Sequence, residues 1–171
     1  FYPSDVINSY QGATIEVIDT DAEGRLILAD GLSYLIKNFK PEIVVDLATL
    51  TGSCVATFGY ECAGLFTNNA ELQQKLQYSG DAIGERMWPL PLWDAYAPEL
   101  DSDIADVKNY HGKPYAGAIT AAKFLEYFTD KHTAWAHLDI AGVAFIDDEF
   151  AKSKHASAYG TYLLTHFIEN L

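Results

Sequence analysis

The sequence predicts an α/β fold in which a mixed, mostly parallel sheet is flanked by helices on both faces, giving three layers. Two observations support this prediction. The segments 42–50 and 134–142 are apolar runs of the kind found in strands that are buried on both sides. Segments with helical spacing of apolar residues alternate with the strand-like segments, as in proteins whose parallel strands are joined by helices. A chain of 171 residues, 49% of them hydrophobic, is long enough to form one compact core.

The first elements are predicted from the period of the apolar residues. Residues 14–18 alternate as a strand does, whereas apolar residues recur at helical spacing over 26–39. Pro41 ends that helix because proline cannot continue the hydrogen-bond ladder. The β-branched run 42–50 is predicted as a buried strand that leads into the polar residues 51–53.

The rest of the chain continues the alternation of strands and helices. A weaker strand is predicted over 62–67, and Asn69 is predicted to cap a helix that runs to Ile83. The segment 87–117 is rich in Pro, Asp, Gly and Tyr, which is typical of an ordered but irregular region. The remaining elements are predicted as a helix over 119–128, a buried strand over 134–142 and a terminal helix over 159–170.

Composition and charge argue against several classes of function. A net charge of −13 disfavours nucleic acids and membranes as partners, because both require a basic binding face. No apolar run is long enough to span a bilayer, and the first residues do not resemble a signal peptide but an internal segment of a longer protein. Cys54 and Cys62 lack metal-ligand spacing, which favours free thiols in a reducing, cytoplasmic environment.

Residues 19–25 are the most informative segment for function. Their sequence, Asp-Thr-Asp-Ala-Glu-Gly-Arg, places three carboxylates and a guanidinium at every second position, just after the predicted strand 14–18. In extended backbone these four side chains would face the same way, whereas a helix would scatter them, so the segment is expected to be strand or loop. Adjacent carboxylates repel one another unless a positive charge lies among them, so a divalent cation is the expected ligand.

Three interpretations of this segment remain open. The first is a solvated acidic turn before a helix, whose N-terminus favours negative charge. The second is a calcium loop, because residues 19–24 match the start of an EF-hand. Asp30 in place of the usual glutamate, the helical pattern from Leu26 and the preceding strand argue against that loop. The third is a catalytic centre in which carboxylates bridge two divalent ions about 3.5–4 Å apart.

The third interpretation implies a site built mainly from oxygen ligands. None of the five histidines is spaced as in HExxH or HxH motifs. Hard or borderline ions, such as Mn²⁺, Zn²⁺, Mg²⁺ or Co²⁺, would suit carboxylate ligands. Arg25 is always charged and would be able to hold an anion beside such ions.

The segment 19–26 also resembles a known signature. Its sequence, Asp-Thr-Asp-Ala-Glu-Gly-Arg-Leu, is similar to the Asn-Thr-Asp-Ala-Glu-Gly-Arg-Leu signature of the leucyl (cytosol) aminopeptidase family. Three further segments, 46–52, 102–106 and 135–142, resemble the same family in the same order. The similarity extends over nearly the whole chain, and four motifs in order make it highly specific.

The resemblance implies a two-metal exopeptidase that uses a metal-activated water to release N-terminal amino acids of the leucine type from peptides. By matching position, Asp21 would ligate one metal, Glu23 would bridge both, and Arg25 would hold a bicarbonate-like base. The metals would be Mn²⁺ or Zn²⁺, with Mg²⁺ or Co²⁺ as alternatives. Members of the family form hexamers, so a homo-oligomer is implied for the full-length protein.

The same resemblance implies a set of substrate-binding residues. Leu50 would offer its backbone carbonyl, and Gly52 its amide, to the substrate. Thr49, Gly52 and Ala141 would line the pocket for the N-terminal side chain.

Two departures from the family pattern affect what is expected of the chain. Asp19 stands where the family usually has Asn, which adds a negative charge beside the metals. The other ligands of the family, a Lys and two Asp, and a second Lys that polarises the scissile carbonyl, lie upstream, yet no lysine precedes Asp19. Residues 1–171 are therefore expected to form the C-terminal portion of a catalytic domain, with little activity alone. A catalytically inert structural relative and a calcium-binding module are the alternatives.

His137 and Asp139 lie two positions apart on the predicted strand 134–142, so their side chains share one face. A metal-binding or base role is open to them. A hydrogen-bonded structural role is favoured for His137 because the strand is apolar.

Overall fold

The computed structural model describes residues 1–146 and 154–171 and confirms the α/β class. The α-helices of this part of the chain are α1 (Gly24–Phe39), α2 (Gly52–Phe58), α3 (Ala70–Ile83), α4 (Gly117–Tyr127) and α5 (Thr161–Glu169). The strands are β1 (Val6–Asn8), β2 (Thr14–Glu16), β3 (Val44–Ala48), β4 (Ala63–Thr67), β5 (Met87–Pro89), β6 (Val107–Lys108), β7 (Trp135–Asp139), β8 (Phe145–Ile146) and β9 (His155–Ala156). A 3₁₀ helix spans Asp94–Leu100.

A mixed, four-stranded sheet lies at the centre of the fold, with strand order β3-β7-β4-β5. The pairs β3–β7 and β4–β5 are parallel, whereas β4 and β7 are antiparallel. A smaller sheet has the order β1-β2-β6, and β8 pairs with β9. The predicted mixed, mostly parallel sheet is therefore confirmed.

Alternate residues of β7 pack on opposite faces of the central sheet. Trp135 is fully buried and lies in the same cluster as Leu32 of α1 and Phe124 of α4. Its neighbour Ala136 packs with a second cluster that contains Leu76 of α3 and residues of α5. Because successive side chains of a strand point to opposite faces, helices cover both sides of the sheet, and the predicted three-layer arrangement is confirmed.

The helix ends follow the local chemistry of the chain. As predicted, the Asn69 side chain caps α3 by accepting a hydrogen bond from the Leu72 N–H at 2.9 Å. Helix α1 ends at Phe39, and Lys40, between the helix and Pro41, adopts a left-handed conformation with φ of 47°. Helix α2 was not predicted, because seven residues are too few to show a helical period.

The segment 87–117 is less irregular than its composition suggests. It contains β5, which pairs with β4, and β6, which pairs with β2, in addition to the 3₁₀ helix. These strands are held by hydrogen bonds to distant segments, so their local sequence carries little signal. Among residues 1–146 and 154–171, no helix combines the length and apolar character that crossing a bilayer requires.

Candidate active site

The acidic segment forms a turn, not the extended backbone that the alternating carboxylates suggested. The Ala22 N–H donates to the Asp19 carbonyl at 3.3 Å, and the Asp21 N–H donates to Asp19 Oδ1 at 2.9 Å. Helix α1 then begins at Gly24, so Arg25 lies in its first turn. Of the strand and the loop that the sequence left open, the structure shows the loop, because an aspartate side chain that bonds its own backbone favours a turn.

The turn lies beside the loop that joins β3 to α2, and the two segments border a cavity of about 250 Å³. The lining residues are Asp19, Asp21, Ala22, Arg25, Leu50, Thr51, Gly52, Ser53, Tyr110 and Gly117. The structure therefore brings together four of the predicted site residues: Asp21, Arg25, Leu50 and Gly52.

The other three predicted site residues lie elsewhere in the structure. Glu23 lines a separate cavity together with Leu26 and Asp30. Thr49 is exposed and the Ala141 N–H donates to Asp139 at 3.2 Å, and neither Thr49 nor Ala141 lines the first cavity. Glu23 is the residue before α1, and its φ of −79° and ψ of −30° are helical rather than extended.

Arg25 is the charged group buried beneath the first cavity, with 5% of its surface exposed. Its Nη1 donates to the Asn109 carbonyl at 2.8 Å, whereas its buried Nε–H has no hydrogen-bond partner among the described residues. Burial lowers the pKa of Arg25 to about 10, although the negative charge of Asp139 and Asp19 opposes that shift. The guanidinium is therefore protonated at neutral pH and carries an unused donor, which suits it to an anion.

Asn109 holds the acidic turn in place and was missed by the sequence analysis. Its Oδ1 accepts from the N–H groups of Ile18, at 2.8 Å, and Asp19, at 3.3 Å. Its Nδ2 donates to the carbonyls of Asp19, at 2.7 Å, and Ala22, at 3.3 Å. A lone asparagine in a segment without regular periodicity carries no signal of this role, because its partners are about 90 residues away in the sequence.

Asp139 holds the other side of the cavity. Its carboxylate is 1% exposed and accepts hydrogen bonds from the backbone N–H groups of Leu50 and Thr51, the Thr51 hydroxyl and the Ala141 N–H. An acidic residue at the end of an apolar strand was the only sequence signal of this arrangement.

His137, two residues before Asp139, has the contacts of a structural histidine. Its ring is fully buried, and its Nδ1 lies 2.6 Å from Asp46 Oδ1. The other oxygen of that carboxylate accepts from Trp135 Nε1 at 2.7 Å. This network lies within the sheet and does not contribute to the lining of the cavity.

The carboxylates of the described residues do not by themselves fit a two-metal centre. No three His, Cys, Asp or Glu side chains in residues 1–146 and 154–171 are grouped so as to hold a metal ion. Asp21 borders the cavity, and Glu23 is exposed and makes no capping hydrogen bond to α1. The exposed Glu23 side chain is therefore not committed to the helix end.

The structure also decides between the other interpretations of the acidic segment. The calcium-loop interpretation is wrong, because residues 24–30 are helical and the Asp30 carboxylate accepts the Tyr10 N–H at 2.7 Å. The acidic-turn interpretation agrees with the structure in one respect, because exposed Asp21 and Glu23 lie in a turn directly before α1. Glu23, at the N-cap position, nevertheless makes no side-chain hydrogen bond to the helix end.

Comparison with known proteins agrees with the resemblance of the motifs. Residues 1–165 match the family described as "Cytosol aminopeptidase family, catalytic domain". A protein of Chlorobaculum parvum named "Probable cytosol aminopeptidase" is 51% identical over 168 residues, which cover 98% of this chain and 33% of that protein. Proteins of the same name from Chlorobium phaeobacteroides and Gluconobacter oxydans are 49% and 50% identical, over 98% of this chain and 33% and 34% of their own lengths. The chain spans about a third of the length of these curated relatives.

Proposed function

The chain belongs to the cytosol aminopeptidase family, and from that premise we propose that it forms part of the active site of a metal-dependent leucyl aminopeptidase. In this proposal it is the C-terminal portion of the catalytic domain of a protein of the relatives' length. The substrates are peptides, from which N-terminal residues of the leucine type are released by hydrolysis. The protein acts in the cytoplasm as a homo-oligomer, a hexamer in its full-length form.

The buried Nε–H of Arg25, which has no partner in the part of the chain that the structure describes, is the observation that carries the proposal. A buried, charged side chain with an orphaned N–H is costly unless a ligand completes its hydrogen bonds. Arg25 lies at the cavity that Asp21 and the loop 50–52 also border. A bicarbonate-sized anion held there would accept the Nε–H and would stand beside the acidic turn, as a base that handles the proton of a water molecule must.

The loop between β3 and α2 supplies the proposed contacts to the substrate backbone. Leu50 and Gly52 both line the cavity. Gly52 is the first residue of α2, so its N–H has no partner four residues earlier within the helix. In the proposal the Leu50 carbonyl and the Gly52 N–H bind the peptide, and Thr49, Gly52 and Ala141 surround the N-terminal side chain.

The metal site is proposed to be shared between this chain and the rest of a full-length protein. Asp21 and Glu23 would each give a carboxylate to divalent ions, Mn²⁺ or Zn²⁺ with Mg²⁺ or Co²⁺ as alternatives, once Glu23 turns toward the cavity. The remaining ligands come from outside the described residues, which do not complete a set of three. We therefore expect the 171-residue chain alone to have little or no aminopeptidase activity.

The first experiment compares the 171-residue chain with a protein of the relatives' full length that contains it. Hydrolysis of leucyl amide is measured for each with Mn²⁺ or Zn²⁺ and again with a chelator. Activity in the longer protein only, abolished by the chelator, is the expected result. Robust metal-dependent cleavage by the 171-residue chain would refute the shared site, and no activity in a metal-loaded longer protein would favour the inert structural relative.

The role of Arg25 is tested in the longer protein with a matched pair of variants. Arg25→Met removes the buried guanidinium and is expected to lower kcat by about 100-fold or more, the usual cost of losing one charge-stabilising group in an active site. Arg86→Met is the control, because Arg86 is exposed and its nearest carboxylate, on Glu61, lies 4.0 Å away. Equal activity of the two variants would contradict the assignment.

A further inference from the structure

We infer that Asp139 is a positioning residue, whose buried carboxylate orients the two chain segments that bind the substrate, 49–52 and 140–142. The inference rests on the proposed function and deepens it, because it names the group that controls discrimination between N-terminal side chains. Asp139 does not line the cavity, so it acts there through its hydrogen bonds to Leu50 and Thr51, which do.

The sheet brings Asp139 to the point where the binding loop begins. Asp139 is the last residue of β7, and in the parallel pairing of β3 with β7 it lies opposite Ala48, the last residue of β3. The Ile140 N–H donates to the Ala48 carbonyl at 2.8 Å, which extends this alignment by one residue. Both segments therefore leave the sheet beside the same carboxylate.

One carboxylate holds both segments through four hydrogen bonds. Its Oδ1 accepts the N–H groups of Leu50 at 3.1 Å, Thr51 at 3.4 Å and Ala141 at 3.2 Å. Its Oδ2 accepts the Thr51 hydroxyl at 2.6 Å. All four partners are donors, so an ionised carboxylate satisfies them, whereas an amide of the same shape would turn its NH₂ group toward at least one donor.

These bonds determine where the Leu50 carbonyl points. The C=O of Leu50 and the N–H of Thr51 belong to one trans peptide unit and are directed oppositely. Because that N–H points at the buried Asp139, the carbonyl of Leu50, a residue that lines the cavity, points away from Asp139. The Thr51 hydroxyl also accepts the Cys54 N–H at 3.0 Å, which fixes the start of α2 and with it Gly52.

Kinetic selectivity separates a positioning role from a general contribution to folding. A change that only lowers the folded fraction reduces kcat for every substrate by one factor and leaves KM unchanged. A change that loosens 49–52 and 140–142 alters the pocket for the N-terminal side chain, so KM rises and the preference between large and small side chains falls. Differences of one or a few methylene groups in such pockets are worth about 10–200-fold in discrimination.

The experiment uses the full-length protein that contains this chain, with leucyl and alanyl p-nitroanilides as substrates. Asp139→Asn is expected to raise KM for the leucyl substrate and to lower the leucyl-to-alanyl ratio of kcat/KM by about fivefold or more. Thr51→Val, which removes one donor and leaves the carboxylate in place, should shift the ratio in the same direction, and Thr51→Ser should restore it. Asp81→Asn, at an exposed position of α3, is the matched control and should change neither quantity.

An unchanged leucyl-to-alanyl ratio and KM in both Asp139→Asn and Thr51→Val, with only kcat reduced, would overturn the inference. Thr51→Val keeps the test decisive if Asp139→Asn does not fold. If the unmutated protein cleaves neither substrate, the proposed function fails, and amide hydrogen exchange in the 171-residue chain tests the inference by itself. The inference is supported if amide exchange at Leu50, Thr51 and Ala141 is about tenfold faster or more in Asp139→Asn or Thr51→Val than in the unmutated chain, while exchange in α3 is unchanged. Equal exchange rates overturn it.

Discussion

Replacing Asn109 by alanine should destabilise the 171-residue chain by removing the side chain that holds the acidic turn. The substitution deletes four side-chain hydrogen bonds, to Ile18, Asp19 and Ala22. It leaves the backbone of residue 109 intact, so the bond from Arg25 Nη1 to its carbonyl and the bond from its N–H to the Glu16 carbonyl are both retained. The effect therefore reports on the asparagine side chain alone.

The magnitude follows from the lengths and burial of the lost bonds. Two are short, at 2.7 and 2.8 Å, and two are long, at 3.3 Å. A typical hydrogen bond contributes about 0.5–1.5 kcal/mol, and the long ones count at the lower end of that range. Asn109 is fully buried, so the cavity left by its side chain adds to the loss. We expect the free energy of unfolding to fall by about 3 kcal/mol.

Urea denaturation followed by circular dichroism measures this change as a lower midpoint with an unchanged slope. Asn38→Ala is the matched control, because the Asn38 side chain is exposed and its hydrogen bonds to Tyr34 and Tyr10 lie at the surface of α1. Alanine is also a better helix former, so this control should change stability by no more than about 0.5 kcal/mol. If the two variants unfold at the same urea concentration, the proposed role of Asn109 is refuted.

Two further predictions concern packing and thiol chemistry. Gly142→Ala would place a Cβ atom 2.2 Å from the Gly59 carbonyl oxygen and should destabilise the chain by about 1–3 kcal/mol. At Gly31 an added Cβ atom meets nothing within 4 Å, so Gly31→Ala should stabilise α1 by about 0.5–1 kcal/mol. If the melting temperatures of the two variants shift by the same amount in the same direction, the packing argument is contradicted. Burial raises the pKa of the Cys54 thiol to about 12, so at pH 8 it stays protonated and unreactive. Iodoacetamide should therefore label the half-buried Cys62 first in the native chain, and equal labelling rates by mass spectrometry would refute this order.

The secondary structure was predictable where a long element has a clear period or a capping side chain. Helix α3 is an example, because Asn69 caps it as the sequence indicates and the helix ends at Ile83 as predicted. Strand β7 was predictable because a short apolar run is typical of a strand that is buried on both faces. The short elements β5, β6 and α2 were not, since pairing with distant strands or one capping hydroxyl determines them.

The site was predictable in part for a related reason. The motif identifies Asp21, Arg25, Leu50 and Gly52, and the structure places all four around one cavity. The sequence did not indicate the direction of Glu23, because this residue stands directly before α1 and already has a helical backbone conformation, with φ of −79° and ψ of −30°.

The sequence by itself determined the α/β class, the main helices and strands, and membership of the cytosol aminopeptidase family, because periodicity and contiguous motifs are local properties of the chain. Only the tertiary structure showed that Asn109 and Asp139 hold the two sides of the cavity. Asn109 bonds to Ile18, 91 residues away in the sequence, and Asp139 bonds to Leu50, 89 residues away. Only the tertiary structure, likewise, showed that the Arg25 Nε–H is buried and has no hydrogen-bond partner within residues 1–146 and 154–171. The physical reason is that burial and hydrogen bonding between remote segments depend on how the chain packs, and no spacing of residues along the sequence encodes them.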